Sequence, residues 1–548
     1  MKTALQLVTK EKTTAMEHKS KSYPNFDENV WMRSCEKEVT EPIDGEVTGT
    51  IPLWLNGALF RNGPGLLKIG EHEFKHVFDG MALLQRFRIE NGKVTFQSRF
   101  LQSDVYKENI QANRIVFTDF GTSSVPDPCQ TIFGKFFSYF YECSKNSDNA
   151  VISIYPFQDE LYSFTELPIM FRINKSNLET LEKIQLNNLN IVTHTSHPHV
   201  TIDGTVYNLA LSRSGPSYKV VRFPPKSEND GDDYSMFDKA YTVAEIPVRW
   251  RLAPSYMHSF GKTENFFIIL EQPLSLFLPK YLINKLRNYP VAESFRYYPN
   301  ELTKINIVSR KSGKLAYEFY CNSLFYFHII NQYEQENHIV LDVCSYKNGE
   351  IIKFLYLESL RNIQSQPDYI NLIRSRPIRL VLPLIDSFEN ISLDENLVRI
   401  GNTSAEAYLQ KDGKVLAKWE ELCNISCEMP KVNYPQYSGV KYRYFYSTCP
   451  LIDSEHPGAM AKVDTETKTA KIWYEENCYA NEPIFVPSPN SKDEDDGVIL
   501  TNVIWGLEDT NRTGLIVLDA KTFTEIGRVV FQIPSPIATS FHGWYSNL

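Results

Sequence analysis

Four histidines stand far apart in the chain, each in an apolar or aromatic setting: His197 in Thr-His-Thr-Ser-His-Pro-His-Val, His258 in Ser-Tyr-Met-His-Ser-Phe-Gly, His328 in Phe-Tyr-Phe-His-Ile-Ile-Asn and His542 in Ser-Phe-His-Gly-Trp. Neutral imidazole is the commonest metal ligand, and an imidazole buried without a polar partner is costly, so these residues need a compensating contact. A shared metal ion would supply it, and so would a hydrogen bond from each ring to a nearby carbonyl. Spacing does not choose between the two. Ligands drawn from distant strands leave no local signature of the His-Glu-x-x-His kind.

Carboxylates bear on the choice, because a ligating imidazole usually donates its second N–H to a carboxylate or carbonyl. Three glutamates sit in apolar or proline-flanked settings: Glu166 in Phe-Thr-Glu-Leu-Pro, Glu428 in Ser-Cys-Glu-Met-Pro and Glu482 in Ala-Asn-Glu-Pro-Ile-Phe-Val. A buried carboxylate needs donors of the imidazole N–H type; an ordinary surface or turn role is the alternative for each. No Gly-x-Ser-x-Gly or Cys-His nucleophile signature is present.

The elements that must position these residues read as short hairpins. Hydrophobic residues make up 42% of the 548 and aromatics 13%, with 31 Tyr and 33 Phe, a composition suited to strands. One pattern recurs: an apolar run, a polar turn, a second apolar run. It is clearest in 171–184, 304–317, 461–473 and 515–528. Small antiparallel sheets repeated over hundreds of residues predict an all-β chain, a β-propeller whose inner strands face a common axis where distant histidines can meet. A large or duplicated sandwich is the structural alternative.

Residues 1–30 read as a polar, flexible N-terminal arm, and 31–548 as a single domain. Residues 385–422 read as a long surface excursion between blades. Two stretches depart from the hairpin pattern. One, 128–141, carries Phe133, Phe136, Phe137 and Phe140; the other, 274–287, carries Leu276, Phe277, Leu278 and Leu282 with basic residues around them. Both are candidates to lie in a membrane interface, or else to pack as a cap. A net charge of −9 without basic blocks argues against a nucleic-acid partner. Nine cysteines without paired spacing suggest free thiols. The start, Met-Lys-Thr-Ala-Leu-Gln-Leu-Val, turns charged at once in Thr-Lys-Glu-Lys, and no apolar run is long enough to span a bilayer, so a cytoplasmic location is expected.

The chain resembles the carotenoid cleavage oxygenase family from about Trp31 to its C-terminus. Besides the histidine contexts, the likeness is carried by Leu-Phe-Arg-Asn-Gly-Pro-Gly at 59–65, His-Val-Phe-Asp-Gly at 76–80, Pro-Asp-Pro-Cys at 126–129, and Glu-Pro-Ile-Phe-Val at 482–486 followed by Glu-Asp-Asp-Gly-Val at 494–498. Within the family it is most similar to the insect isomerooxygenase branch, through Val-Trp-Met-Arg-Ser-Cys-Glu at 30–36, Phe-His-Ile-Ile-Asn at 327–331 and Tyr-Arg-Tyr-Phe-Tyr at 442–446.

The resemblance implies a seven-bladed propeller with a helical and loop cap over its metal face, and one Fe(II) held by His197, His258, His328 and His542. It implies Glu166, Glu428 and Glu482 behind His258, His328 and His542 in turn, with His194 and His199 in supporting roles. It also implies dioxygen as co-substrate and cleavage of a carotenoid such as zeaxanthin or β-carotene at its central double bond. In the insect branch cleavage is coupled to isomerisation, giving one 11-cis and one all-trans retinoid aldehyde for a visual chromophore. Cleavage without isomerisation, retinyl-ester isomerohydrolysis and a metal-free binding scaffold are the alternatives. A nearly insoluble polyene further implies peripheral membrane association, with no obligate protein partner. Cys129 stands where a relative is associated with palmitoylation; a buried thiol is the other reading.

Overall fold

The computed structural model describes residues 21–127, 147–227, 230–231, 234–507 and 509–547. Its strands form seven blades and two small two-stranded ribbons: the β-propeller expected from the hairpin pattern, with the number of blades that the resemblance implies. All four hairpins noted above are antiparallel pairs within blades. Their polar turns show why. In 464–469 the Asp464 carboxylate accepts the N–H groups of Glu466 and Thr467, and Lys468 takes a left-handed φ of 56°. Asp519 accepts from Thr522 in the same way, and Phe523 turns the chain at φ 61°.

Both faces of a blade are buried against its neighbours, so strands need apolar residues at odd and even positions alike. In Arg512–Asp519, Leu515 and Val517 enter one core cluster, while Ile516 and Leu518 enter another. The ring closes at both ends of the chain. His542–Asn547 pairs with Gly57–Asn62 in blade 1, and Glu46–Gly49 pairs with Thr524–Gln532 to complete blade 7. Edge strands of neighbouring blades touch around the axis, as His542–Asn547 does Ser153–Phe157 and Phe325–Gln335 does Glu428–Lys431.

Three expectations are corrected. The folded body begins before Trp31: Tyr23, Phe26 and Val30 are buried, and the Tyr23 hydroxyl lies 2.8 Å from the Pro367 carbonyl. Their 3–4 residue spacing is masked in sequence by the polar residues between them. The stretch 385–422 is not simply a surface excursion. Glu406–Leu409 and Val415–Lys418 form a hairpin that extends blade 4 through a parallel pairing with Leu315–Cys321, and Glu420–Glu421 edges blade 5. Ala407, Val415 and Ala417 are buried there under a charged exterior.

The segment 274–287 divides. Leu274–Leu276 is a strand paired with Phe295–Tyr297, and Leu278–Leu286 is a helix. Leu282 is exposed, as are Ile283, Leu286, Tyr289 and Leu252. Leu276, Phe277 and Leu278 are instead half-buried, because the strand pairing draws Leu276 inward and the Arg296 guanidinium covers the Phe277 ring. Phe133, Phe136, Phe137, Phe140 and Cys129 lie outside the described residues. No helix among the described residues is long and apolar enough to cross a membrane.

Candidate metal centre

Each blade sends one of the seven singled-out residues toward the axis. His542 starts the last strand of blade 1, and Glu166 lies between the second and third strands of blade 2. His197 sits between two short strands of blade 3, His258 just before blade 4, and His328 within Phe325–Gln335 of blade 5. Glu428 opens blade 6, and Glu482 lies between Cys478–Ala480 and Ile484–Pro487 of blade 7. The four histidines offer ligand nitrogens that all lie within 4.8 Å of one another.

Behind them the carboxylates pair one to one. His258 Nδ1 is 2.7 Å from Glu166 Oε1, His328 Nδ1 2.6 Å from Glu428 Oε2, and His542 Nδ1 2.7 Å from Glu482 Oε1. Each short contact commits Nδ1 as the N–H donor, so the Nε2 lone pair points inward. Among the described residues no carboxylate backs His197; the Tyr155 hydroxyl lies 3.3 Å from its Nδ1. The Nε2 atoms of His197 and His258 are 3.1 Å apart, and His328 Nε2 is buried without a hydrogen-bond partner. Three inward lone pairs and a fourth imidazole nitrogen converging on one point suit a cation, and an all-imidazole donor set suits first-row transition metals. This is the arrangement of a metal site.

The electrostatics favour neutral imidazoles at His197, His258 and His542. Burial, reinforced by the other three histidines, holds His197 well below the usual imidazole range, and burial brings His542 down to about 4 against the opposing pull of Glu482. His258 is also lowered by burial despite Glu166. Burial alone would raise Glu482, but Lys431, His542 and Arg61 outweigh it and keep the carboxylate ionised. Glu428 is likewise kept low, by His328 and the Met429 N–H.

His194 and His199 stay out of the cluster. His199 Nε2 donates to the Phe260 carbonyl at 2.8 Å, and His194 Nδ1 accepts from Asn208 at 3.1 Å. Several contacts had no signal in the sequence. The Tyr256 hydroxyl donates to Glu166 at 2.7 Å, while Arg61 at 3.3 Å and Lys431 at 2.9 Å flank Glu482. Only Arg61 had a clue, from its place in the Leu-Phe-Arg-Asn-Gly motif.

Among the described residues two hollows reach the four histidines, and a third adjoins one of them. An apolar chamber bounded by Phe78, Phe327, Ile351, Leu355 and Phe541 reaches His258, His328 and His542. Helical segments such as Ile351–Phe354 thus cover this face of the ring. A second chamber shares Phe78 and Ile152 with the first and runs past Tyr256 and Glu166 to Leu276 and Tyr281 beside the exposed helix. A smaller, polar hollow on the axis touches His197, His328, His542 and Lys431.

Comparison with known proteins agrees with this architecture. Residues 32–547 match the family described as retinal pigment epithelial membrane protein (RPE65). Carotenoid isomerooxygenase of Galleria mellonella is 45% identical, covering 96% of this chain and 98% of the relative; that of Drosophila melanogaster is 40% identical, covering 96% and 94%. The beta,beta-carotene 15,15'-dioxygenase of Gallus gallus is 37% identical over 94% of this chain and 98% of its own. Cobalt-substituted Synechocystis ACO shares the fold, with a TM-score of 0.73 at 23% identity over 96% of this chain and all of that one (100%). The chain belongs to the RPE65 family of carotenoid oxygenases.

Proposed function

We propose that this protein is a carotenoid isomerooxygenase, in which His197, His258, His328 and His542 hold Fe(II) and a carotenoid is cleaved at its central double bond with isomerisation of one half. The observation that carries the reading is the convergence of four imidazoles beside a chamber walled by aromatic and aliphatic side chains, which adjoins a second such chamber at Phe78 and Ile152. Fe(II) bound there would supply activation of dioxygen toward a polyene double bond. The chain's own residues bind, orient and exclude water. Phe78, Phe327 and Phe541 wall one chamber, so one arm of a rigid polyene can lie there while the other arm runs along the second chamber, which Tyr256 and Phe295 help to line. Glu166, Glu428 and Glu482 fix the tautomer of three rings through their Nδ1 protons.

Such a substrate dissolves in membranes rather than in water. The second chamber runs to Leu276 and Tyr281, and Leu282 and Ile283 of the same segment are exposed, so this surface is read as a peripheral membrane contact. The deciding experiment incubates iron-loaded protein with zeaxanthin or β-carotene and resolves the products. One 11-cis and one all-trans aldehyde per substrate, with dioxygen consumed, is the expected result. Two all-trans aldehydes remove the isomerase part. Retinol formed from retinyl ester without dioxygen uptake replaces the reading with an isomerohydrolase.

A further inference from the structure

The three carboxylates behind the histidines are not equivalent, and the difference lies in what else touches them. Glu166 is met by the neutral Tyr256 hydroxyl, and Glu428 by the Met429 N–H at 2.6 Å. Glu482 bears two cations: Lys431 Nζ at 2.9 Å from Oε1, the oxygen that also receives the His542 proton, and Arg61 at 3.3 Å from Oε2. Arg61 and Glu482 are fully buried, and the Lys431 side chain is 19% exposed, at the wall of the polar axial hollow beside His197 and His542.

The backbone explains how Lys431 gets there. Glu428–Lys431 is the first strand of blade 6, and its pairing with Tyr444–Thr448 slips between Glu428 and Lys431, where Met429 takes a φ of 50°. From this one irregular strand Glu428 reaches His328 of blade 5, while Lys431 reaches Glu482 of blade 7.

Resting on the reading of the four histidines as a metal centre, we infer that Lys431 is a positioning residue that tunes it: by sharing Glu482 it makes His542 the weakest electron donor of the carboxylate-backed ligands. A carboxylate that accepts an imidazole N–H makes the opposite nitrogen more basic, and a cation on that carboxylate reverses the effect. The positive charge also opposes accumulation of charge at the centre. Both effects favour a divalent over a trivalent ion, which protects a ferrous centre that works in the presence of dioxygen. The cost is a looser hold on the metal.

The test compares wild type with Lys431→Gln, Lys431→Met and Lys431→Arg, using Co(II) as an absorbing probe in metal-free protein. The glutamine and methionine variants are expected to bind Co(II) at least threefold more tightly and to shift its visible bands. The arginine variant should match wild type in both. In the iron-loaded proteins, Lys431→Gln should lower the Fe(III)/Fe(II) potential and speed autoxidation. Methionine retains the apolar stem and serves if glutamine impairs folding. Affinity and spectrum unchanged in the neutral variants, or arginine behaving like glutamine, overturns the inference while leaving the metal centre intact. Wild type that binds no Co(II) through the histidines overturns both.

Discussion

Replacing Glu482 by Gln should damage the metal-free protein far more than replacing Glu428 by Gln, although each glutamate backs one histidine. Glu428 pairs with an imidazole and a backbone N–H, so Glu428→Gln gives up charge-assisted hydrogen bonding worth about 1.5–3 kcal/mol. Glu482 also neutralises Arg61 and Lys431. Burial brings Arg61 down to about 10, so the guanidinium is still charged at neutral pH. Glu482→Gln keeps the shape but strands that cation in a site with 0% side-chain exposure, and uncovering a buried ion pair costs about 3–5 kcal/mol. Chemical unfolding of metal-free protein at pH 7 excludes any contribution from lost metal. The midpoint for Glu482→Gln should lie well below that for Glu428→Gln. Adding Lys431→Met to Glu482→Gln should recover part of the loss, because one of the two stranded cations is gone. Equal midpoints for the two glutamine variants, or no recovery in the double variant, would refute the charge argument.

Deleting the last seven residues should abolish metal binding and also lower stability, since it removes both His542 and the strand that pairs with Gly57–Asn62; His542→Ala should abolish tight binding alone, as metal analysis with an unfolding curve will tell. His76 is buried, donates from Nε2 to the Ile352 carbonyl at 2.9 Å and accepts the Phe78 N–H at 3.1 Å, and burial lowers it to about 4. The unfolded chain takes up that proton near pH 6.5, so the stability from a neutral His76 is complete above pH 6.5 and is lost as pH falls toward 4, by about 1.4 kcal/mol per pH unit. His76→Gln should flatten the pH dependence of unfolding in that window by about one proton, and an unaltered slope contradicts the assignment. Leu282→Glu with Ile283→Glu should reduce sedimentation with phospholipid vesicles and slow turnover of vesicle-borne carotenoid, while detergent-solubilised substrate is turned over as before; equal vesicle binding would remove this surface from the membrane contact.

The hairpins were legible because strand and turn chemistry is local: an Asp that caps its own turn, as at 464 and 519, is visible within a few residues. Closure of the ring was not, since Gly57–Asn62 meets His542–Asn547 across nearly the whole chain and nothing in either segment names the other. The same limit governed the site. Single residues from separate blades carry no mutual spacing, so taken by themselves the histidines were readable only as polar groups in apolar surroundings, and it was the family resemblance that joined them. Tyr256 and Lys431 gave no sign because a tyrosine among aromatics and a lysine in an exposed-looking strand are ordinary. Tyr23 and Phe26 were hidden by composition: a few apolar residues in a polar stretch suffice to anchor a terminus when the hollow they fill already exists.

A propeller also explains why such a site tolerates this scattering. Every blade turns one end toward the axis, so one substitution per blade, on a strand or in a connection, is enough to place a ligand or its carboxylate, and each blade is stabilised by its own interblade cores. The ligands come from blades 1, 3, 4 and 5 and the carboxylates from blades 2, 6 and 7. Each hydrogen-bonded pair therefore ties two different blades together: Glu166 to His258, Glu428 to His328 and Glu482 to His542. Loosening one pair releases both a ring orientation and a contact between blades. Metal binding and closure of the ring are thus coupled through the same contacts, and metal should stabilise the fold by its differential affinity for the closed ring.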